Sequence, residues 1–118
     1  MGVARPGDVN AAFADAFNRR DLDALLGLYD PDGAVVEMDG TTSTGTDQIR
    51  RHLERLLELG GTMESINLTA VEHGDVALVT AEWTITDGRV APTMRGRSAE
   101  VLRRQSDGTW AYLIDQPA

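Results

Sequence analysis

The chain contains no cysteine, which excludes a disulfide framework and any thiolate-held metal. It contains no lysine either: all 11 basic residues are arginine, set against 19 acidic ones for a formal net charge of -8. A surface of that sign repels phosphate backbones, so nucleic acid is not an expected partner. No apolar run approaches the roughly 20 residues that span a bilayer. The first six residues hold no apolar signal core, so no membrane role is expected and the cytoplasm is the expected location. Aromatic residues make up only 5%. What remains is an ordinary globular balance: 118 residues, 42% hydrophobic and 25% charged, enough for one domain around one core.

Residues 1–7 are rich in Gly, Arg and Pro and are expected to form a flexible arm before a single domain spanning 8–118. Asp8 is placed to cap a first helix whose stripe is Val9, Ala12, Phe13, Ala16 and Phe17. Asp21 is placed to cap a second, with Leu22, Leu25, Leu26 and Tyr29 on one side and Pro31-Asp32-Gly33 ending it. Residues 34–39 read as a strand. Thr46 is placed to cap a third helix, with Ile49, Leu53, Leu56 and Leu57 on one side and Gly60-Gly61 stopping it. Strand-like runs follow at 63–72, 75–86, 94–105 and 109–116, with His73-Gly74 and Asp107-Gly108 as hairpin turns. In the second run Ala77, Val79, Ala81, Trp83 and Ile85 form the expected buried phase. Helices in the first half and hairpins in the second predict an α+β fold, with three helices over the concave face of a curved antiparallel sheet. Such a sheet leaves a cone-shaped space that side chains fill or a ligand occupies.

Nearly the whole chain then resembles the nuclear transport factor 2-like superfamily, which has a cystatin-like fold, in its SnoaL-like branch and nearest its SgcJ/EcaC group. The residues that carry the resemblance are Ala16-Phe17-Asn18-Arg19-Arg20-Asp21-Leu22-Asp23-Ala24-Leu25-Leu26 and Leu28-Tyr29-Asp30-Pro31-Asp32-Gly33-Ala34-Val35. To these are added Gly45-Thr46-Asp47-Gln48-Ile49-Arg50, Asp107-Gly108-Thr109-Trp110 and Ile114-Asp115-Gln116-Pro117. The superfamily includes ketosteroid isomerase, polyketide cyclases and limonene epoxide hydrolase. The resemblance implies the fold strongly; the fold itself hosts enzymes, binders and assembly domains alike.

Proton-transfer chemistry in an apolar cone needs a carboxyl group whose pKa is raised by desolvation. Three acids lie in strands in otherwise apolar phase. Glu37 sits beside Val35, Val36 and Met38. Glu100 is in phase with Met94, Ser98 and Leu102, opposite Arg95, Arg97 and Arg103. Asp115 is in phase with Leu113. Each also reads as a surface acid or a structural ion pair. The resemblance to ketosteroid isomerase matches its base to Glu37, its protonated acid to Glu100 and its oxyanion tyrosine to Phe13. Phe13 donates no hydrogen bond, and losing such a donor costs roughly 3–4 kcal/mol, so ordinary steroid isomerisation is not expected.

The expected catalytic set is therefore Glu37 as base, Glu100 as acid or electrophilic partner and Asp115 as auxiliary. The expected pocket wall is Phe13, Phe17, Tyr29, Leu53, Trp83, Met94 and Leu113. Tyr29 reads as core with its hydroxyl at the rim, and Trp83 fits core and pocket wall equally. Trp110 and Tyr112 are expected on the convex face, where members of the superfamily dimerise. His52 is expected to be exposed and His73 inert in its turn. Two distant histidines without thiols make no metal site, and no Gly pattern cradles phosphate, so no cofactor is expected. The leading reading is a cofactor-free isomerase, cyclase or hydrolase acting on a hydrophobic, polyketide-like metabolite. A non-catalytic carrier of such a molecule, or a dimerisation module with a filled cone, are the alternatives.

Overall fold

The computed structural model describes residues 2–118; Met1 lies outside the described residues. A 3-10 turn (Pro6–Asp8) leads into α1 (Val9–Asn18) and α2 (Leu22–Leu26). There follow β1 (Tyr29–Val36), β2 (Thr42–Thr44), α3 (Gly45–Glu58), β3 (Thr62–His73), β4 (Val76–Thr86), β5 (Thr93–Arg104) and β6 (Trp110–Gln116). The six strands form one curved sheet in the order β2-β1-β6-β5-β4-β3. All pairs are antiparallel except β1 with β6, which run parallel. That pair departs from the expected all-antiparallel sheet, because β1 enters from α2 alongside the last strand rather than through a hairpin.

Alternation decides the inner face. Along β4, Ala77, Val79, Ala81 and Ile85 are buried, with Trp83 half-buried between them. Phe17, Leu25, Ile49 and Leu53 come down from the helices onto that face and are almost wholly excluded from water. All six aromatic residues of the chain lie in this core or pack against it.

Local chemistry sets the helix ends. The Asp21 side chain accepts from the Ala24 amide at 3.0 Å and caps α2 as expected. Asp8 holds the N-cap position of α1 as expected, but its side chain makes no capping hydrogen bond; its carboxylate pairs with Arg5 at 3.1 Å. At α3 the N-cap is Thr44 rather than Thr46, and the Gln48 side chain, one turn on, accepts from the Thr44 amide at 2.8 Å. Gly60 and Gly61, at φ 65° and 80°, stop α3. Tyr29 does not end α2, which stops at Leu26; it opens β1.

The segment expected as a loose arm is pinned instead. Val3 and Trp110 exchange backbone hydrogen bonds of 2.9 and 2.8 Å, and Pro6 is buried. Proline at the first position of the turn presets the helical φ that leads into α1.

Candidate active site on the concave face

The centre of the concave face is polar. Glu100 and Asp115 are directly opposed across β5 and β6, and are only 2% and 6% exposed. A register shift in the β5–β6 pairing makes this possible. Tyr112 opposes Leu102 and Ile114 opposes Val101, so Leu113 is the extra residue of a bulge. Before the bulge Tyr112 points inward; after it Asp115 does. The expectation that Trp110 and Tyr112 cover the convex face is therefore corrected: they are 2% and 1% exposed and belong to the core. Leu113, expected in the pocket wall, is half-buried at the bulge and outside the core cluster.

Two chains of hydrogen bonds hold the acids. Tyr112 donates from its hydroxyl to Asn10 Oδ1 (2.8 Å), and Asn10 Nδ2 donates to Glu100 Oε1 (2.9 Å). Tyr29 donates from its hydroxyl to Asp115 Oδ2 (2.5 Å). The two tyrosine rings lie 4.9 Å apart, and Phe13 meets Tyr112 edge-on at 6.2 Å. Position 13 supplies no donor; the Tyr29 hydroxyl from β1 reaches Asp115 directly, and the Tyr112 hydroxyl from β6 reaches Glu100 only through Asn10. Asn10, 6% exposed, has no place in the expected stripe. Its signal is that it precedes Phe13 by three residues and Phe17 by seven, the spacing of one helix face.

Burial dominates the electrostatics. Desolvation, with the Asp115 charge added, pushes Glu100 up to about 7 against the hydrogen bonds from Ser98 and Asn10. Desolvation pushes Asp115 up to about 6, opposed by the Tyr29 hydrogen bond and the His52 charge. Both values lie in the range where a carboxyl group exchanges protons at neutral pH. Tyr29 and Tyr112 are pushed well above the usual phenol range, first by burial and then by Asp115, so both remain hydroxyl donors.

Glu37 differs from the expected desolvated base. It lies just past β1 and is enclosed by donors: Ser43 Oγ at 2.5 Å, His52 Nδ1 at 2.9 and 3.1 Å and Arg55 at 3.3 Å. Partial burial alone raises its pKa, but the Ser43 and His52 hydrogen bonds and the His52 and Arg55 charges outweigh that and hold it below the usual range. His52, expected to be exposed, has a side chain only 14% exposed. It follows Ile49 by three residues and precedes Leu56 by four, so it falls on the apolar stripe of α3.

The expected apolar wall divides. Phe17 and Leu53 are wholly buried core, while Phe13, Trp83 and Met94 are half-buried against it. Trp83 lies across Gly96, where a Cβ would come within 2.6 Å of its ring, and its indole N–H donates to the Pro117 carbonyl (2.6 Å). Two surface depressions, of about 290 and 410 Å³, lie beside Tyr29 and beside Trp83, and neither is lined by Glu100 or Asp115. The cone is closed over its acids, so a ligand reaches them only when the covering side chains part. Among the described residues no group of His, Asp and Glu side chains is arranged to hold a metal ion, and no helix is long and apolar enough to cross a membrane.

A curved, mostly antiparallel sheet of six strands closed by three helices is the nuclear transport factor 2-like, cystatin-like class of fold. Within it, the chain belongs to the SnoaL-like domain family, whose model matches residues 10–113. No curated protein sequence matches it. Among solved structures it is similar to a ketosteroid isomerase-like protein from Erwinia carotovora atroseptica, with a TM-score of 0.76 and 22% identity over 91% of this chain and 87% of that one. A protein with a cystatin-like fold from Nostoc punctiforme gives a TM-score of 0.71 and 19% identity over 91% and 82%. A protein with a ketosteroid isomerase-like fold from Catenulispora acidiphila, in complex with trimethylamine, gives 0.69 and 24% over 95% and 84%. At these identities the likeness is one of fold.

Proposed function

We propose that the chain is a proton-transfer enzyme that needs no cofactor and isomerises, cyclises or hydrates a hydrophobic, polyketide-like metabolite. The observation that carries this reading is the opposed pair of buried acids, Glu100 and Asp115, with pKa values of about 7 and about 6. At neutral pH Asp115 is the ionised member. Its Oδ2 is occupied by the Tyr29 hydroxyl, which leaves Oδ1 to take a proton from the carbon beside a carbonyl. Glu100, raised to about 7, keeps its proton in a large share of the molecules at that pH, and in those it gives the proton to the carbonyl oxygen as the C=O π bond opens. The C–H bond breaks, its electron pair forms the C=C bond, and the product is an enol ready to re-protonate or close a ring. The two acids share one field and titrate as a pair. In this reading Asp115 takes the role that the resemblance to ketosteroid isomerase implies for Glu37.

The test uses 2-tetralone, a bicyclic enolisable ketone, with exchange of its α-protons in deuterated buffer followed by NMR. The chain is expected to speed exchange above the buffer rate at pH 7, and Asp115→Asn to lower the enzymic rate by about a hundredfold or more. Binding of 2-tetralone with exchange no faster than in buffer would instead support a non-catalytic carrier. The closure of the cone over its acids favours that second reading.

We further propose that the convex face pairs with a second copy of the chain. Val71, Leu78, Val101 and Ile114 are successive cross-strand neighbours there, and Val71, Leu78 and Ile114 are 58%, 48% and 44% exposed. An apolar row of this kind marks an interaction surface. Glu82 and Arg97 pair with each other across β4 and β5, while Glu64 lies on the β3 side of this face and Arg95 on its β5 side, so a two-fold mate sets Glu64 against Arg95. Sedimentation is expected to show a dimer, and Leu78→Arg a folded monomer. A monomeric parent chain would refute the pairing.

A further inference from the structure

Glu37 and His52 have no part in that enolisation, yet the Glu37 carboxylate is held by Ser43 from β2 and by His52 and Arg55 from α3. His52 in turn is turned inward on the stripe of α3 between the buried Ile49 and Leu53 and the half-buried Leu56. An imidazole in that position is a poor core residue unless its polar atoms are used.

The place of the dyad is set by the parallel β1–β6 pairing. Val35 opposes Asp115, and Glu37 follows Val35 by two residues, so its side chain emerges on the same face at the same end of the sheet. His52 bridges from α3 to that point, and its charge reaches Asp115, lowering the pKa that burial raises. Around His52 stand Glu37 from the end of β1, hydrogen-bonded to its Nδ1, Arg55 from its own helix, paired with the same carboxylate, and Asp115 from β6, beyond ion-pair contact but within reach of the imidazolium charge. The Glu37 carboxylate accepts from Nδ1, which fixes the proton there in the neutral ring and leaves Nε2 bare.

We propose that Glu37 and His52 form a proton-carrying dyad that connects Asp115 to solvent, with Glu37 as the positioning residue that fixes the His52 tautomer. After Asp115 has taken a proton, that proton passes across a bridging water to His52 Nε2. The imidazolium is stabilised by the Glu37 carboxylate, and Nε2 then exchanges the proton with bulk water; the same relay run in reverse returns a solvent proton to Asp115, which delivers it to the enol carbon as the enol O–H proton goes back to Glu100. No oxidant, reductant or further reactant is needed. Buried Asp115, 6% exposed, otherwise has no direct exchange with water.

The dyad rests on Asp115 acting as proton acceptor, but its test needs no substrate and so can fail separately. In nitrogen-15 NMR of the parent chain, neutral His52 is expected to carry its proton on Nδ1. Glu37→Ala is expected to convert it to a mixture of tautomers. In carbon-13 NMR, His52→Gln is expected to raise the Asp115 titration midpoint by about half a pH unit, because a positive neighbour is lost. A parent His52 protonated on Nε2, or an Asp115 midpoint unmoved in His52→Gln, would overturn the dyad and leave the 2-tetralone result as it stands. Asp115 titrating as an ordinary surface carboxylate in the parent chain would overturn the acid–base reading itself.

Discussion

Glu100→Gln is expected to be more stable than the parent chain at pH 8 by about 3 kcal/mol, and to lose that advantage by pH 4. The cause is the rise in the Glu100 pKa from 4.5 to about 7 on folding, set first by desolvation and then by the charge of Asp115. Between those values the native state holds a proton that the unfolded chain has released. Stability from this group is therefore complete below pH 4.5 and is lost as pH rises through about 7. A tenfold change in proton affinity is worth about 1.4 kcal/mol, and a rise from 4.5 to about 7 therefore amounts to roughly 3 kcal/mol. Glutamine mimics the protonated acid: its oxygen still accepts from Asn10 and its amide donates toward Asp115. Asp30 and Glu37 act in the opposite sense. Burial raises them, but hydrogen bonds from Arg103, Gln105 and Asp32 at the one, and from Ser43 and His52 at the other, hold both below the usual range. Their contribution is present at neutral pH and falls away in acid. Urea unfolding at pH 5 and pH 8 reads the effect directly. Parallel losses in parent and variant across that interval would show that Glu100 is not held protonated by the fold. Because the same substitution removes the proton given to the carbonyl oxygen, the variant should gain stability as it loses 2-tetralone exchange, the usual opposition at a strained site.

The architecture is legible because periodicity is a long-range average. The eleven residues of β4 alternate along most of their length, breaking only where Trp83 and Thr84 are both half-buried, and three helical stripes appear in order, so one misplaced residue changes little. The site depends on single residues, and there three local facts decide the outcome. The first is the bulge at Leu113. A strict period of two puts Tyr112 and Asp115 on opposite faces, and only the inserted residue lets both point inward. Nothing in Tyr112-Leu113-Ile114-Asp115 announces a bulge, since its cause is the tertiary demand of closing a curved sheet on a parallel neighbour. The second is the phase of α3. Charged neighbours make His52 look exposed, although its spacing from Ile49 and Leu56 places it on the buried face. That signal is present in the sequence and is masked by the composition around it. The third is Glu37, where apolar neighbours in the strand suggest a desolvated base. Its partners come from β2 and α3, 6, 15 and 18 residues away, and no pattern within the strand reports them. Glu100 needs none of these corrections, because its strand keeps one phase from Met94 to Leu102.

Trp110→Ala is expected to cost about 3–5 kcal/mol, the range for truncating a buried aromatic residue. Trp110 is 2% exposed, and its ring carries the Arg104 guanidinium 4.6 Å from its centroid. Its backbone forms an isolated bridge to Val3 through two hydrogen bonds, and the backbones run so close that a Cβ on Gly2 would meet the Trp110 carbonyl oxygen at 1.8 Å. The indole therefore closes the N-terminal end of the core and fixes the start of β6 at once. The register of that strand places Tyr112 and, past the bulge, Asp115. Loss of the ring leaves a cavity at the anchor, and the amide of Val3 is expected to lose its protection from hydrogen exchange along with the global stability. Trp83→Ala is the control: half-buried over Gly96, with one hydrogen bond to the Pro117 carbonyl, it should cost less. If the order of the two were reversed, the strength of the fold would lie at the Trp83 end of the sheet. The site would then be held by the C-terminal residues and not by the pinned N-terminal segment.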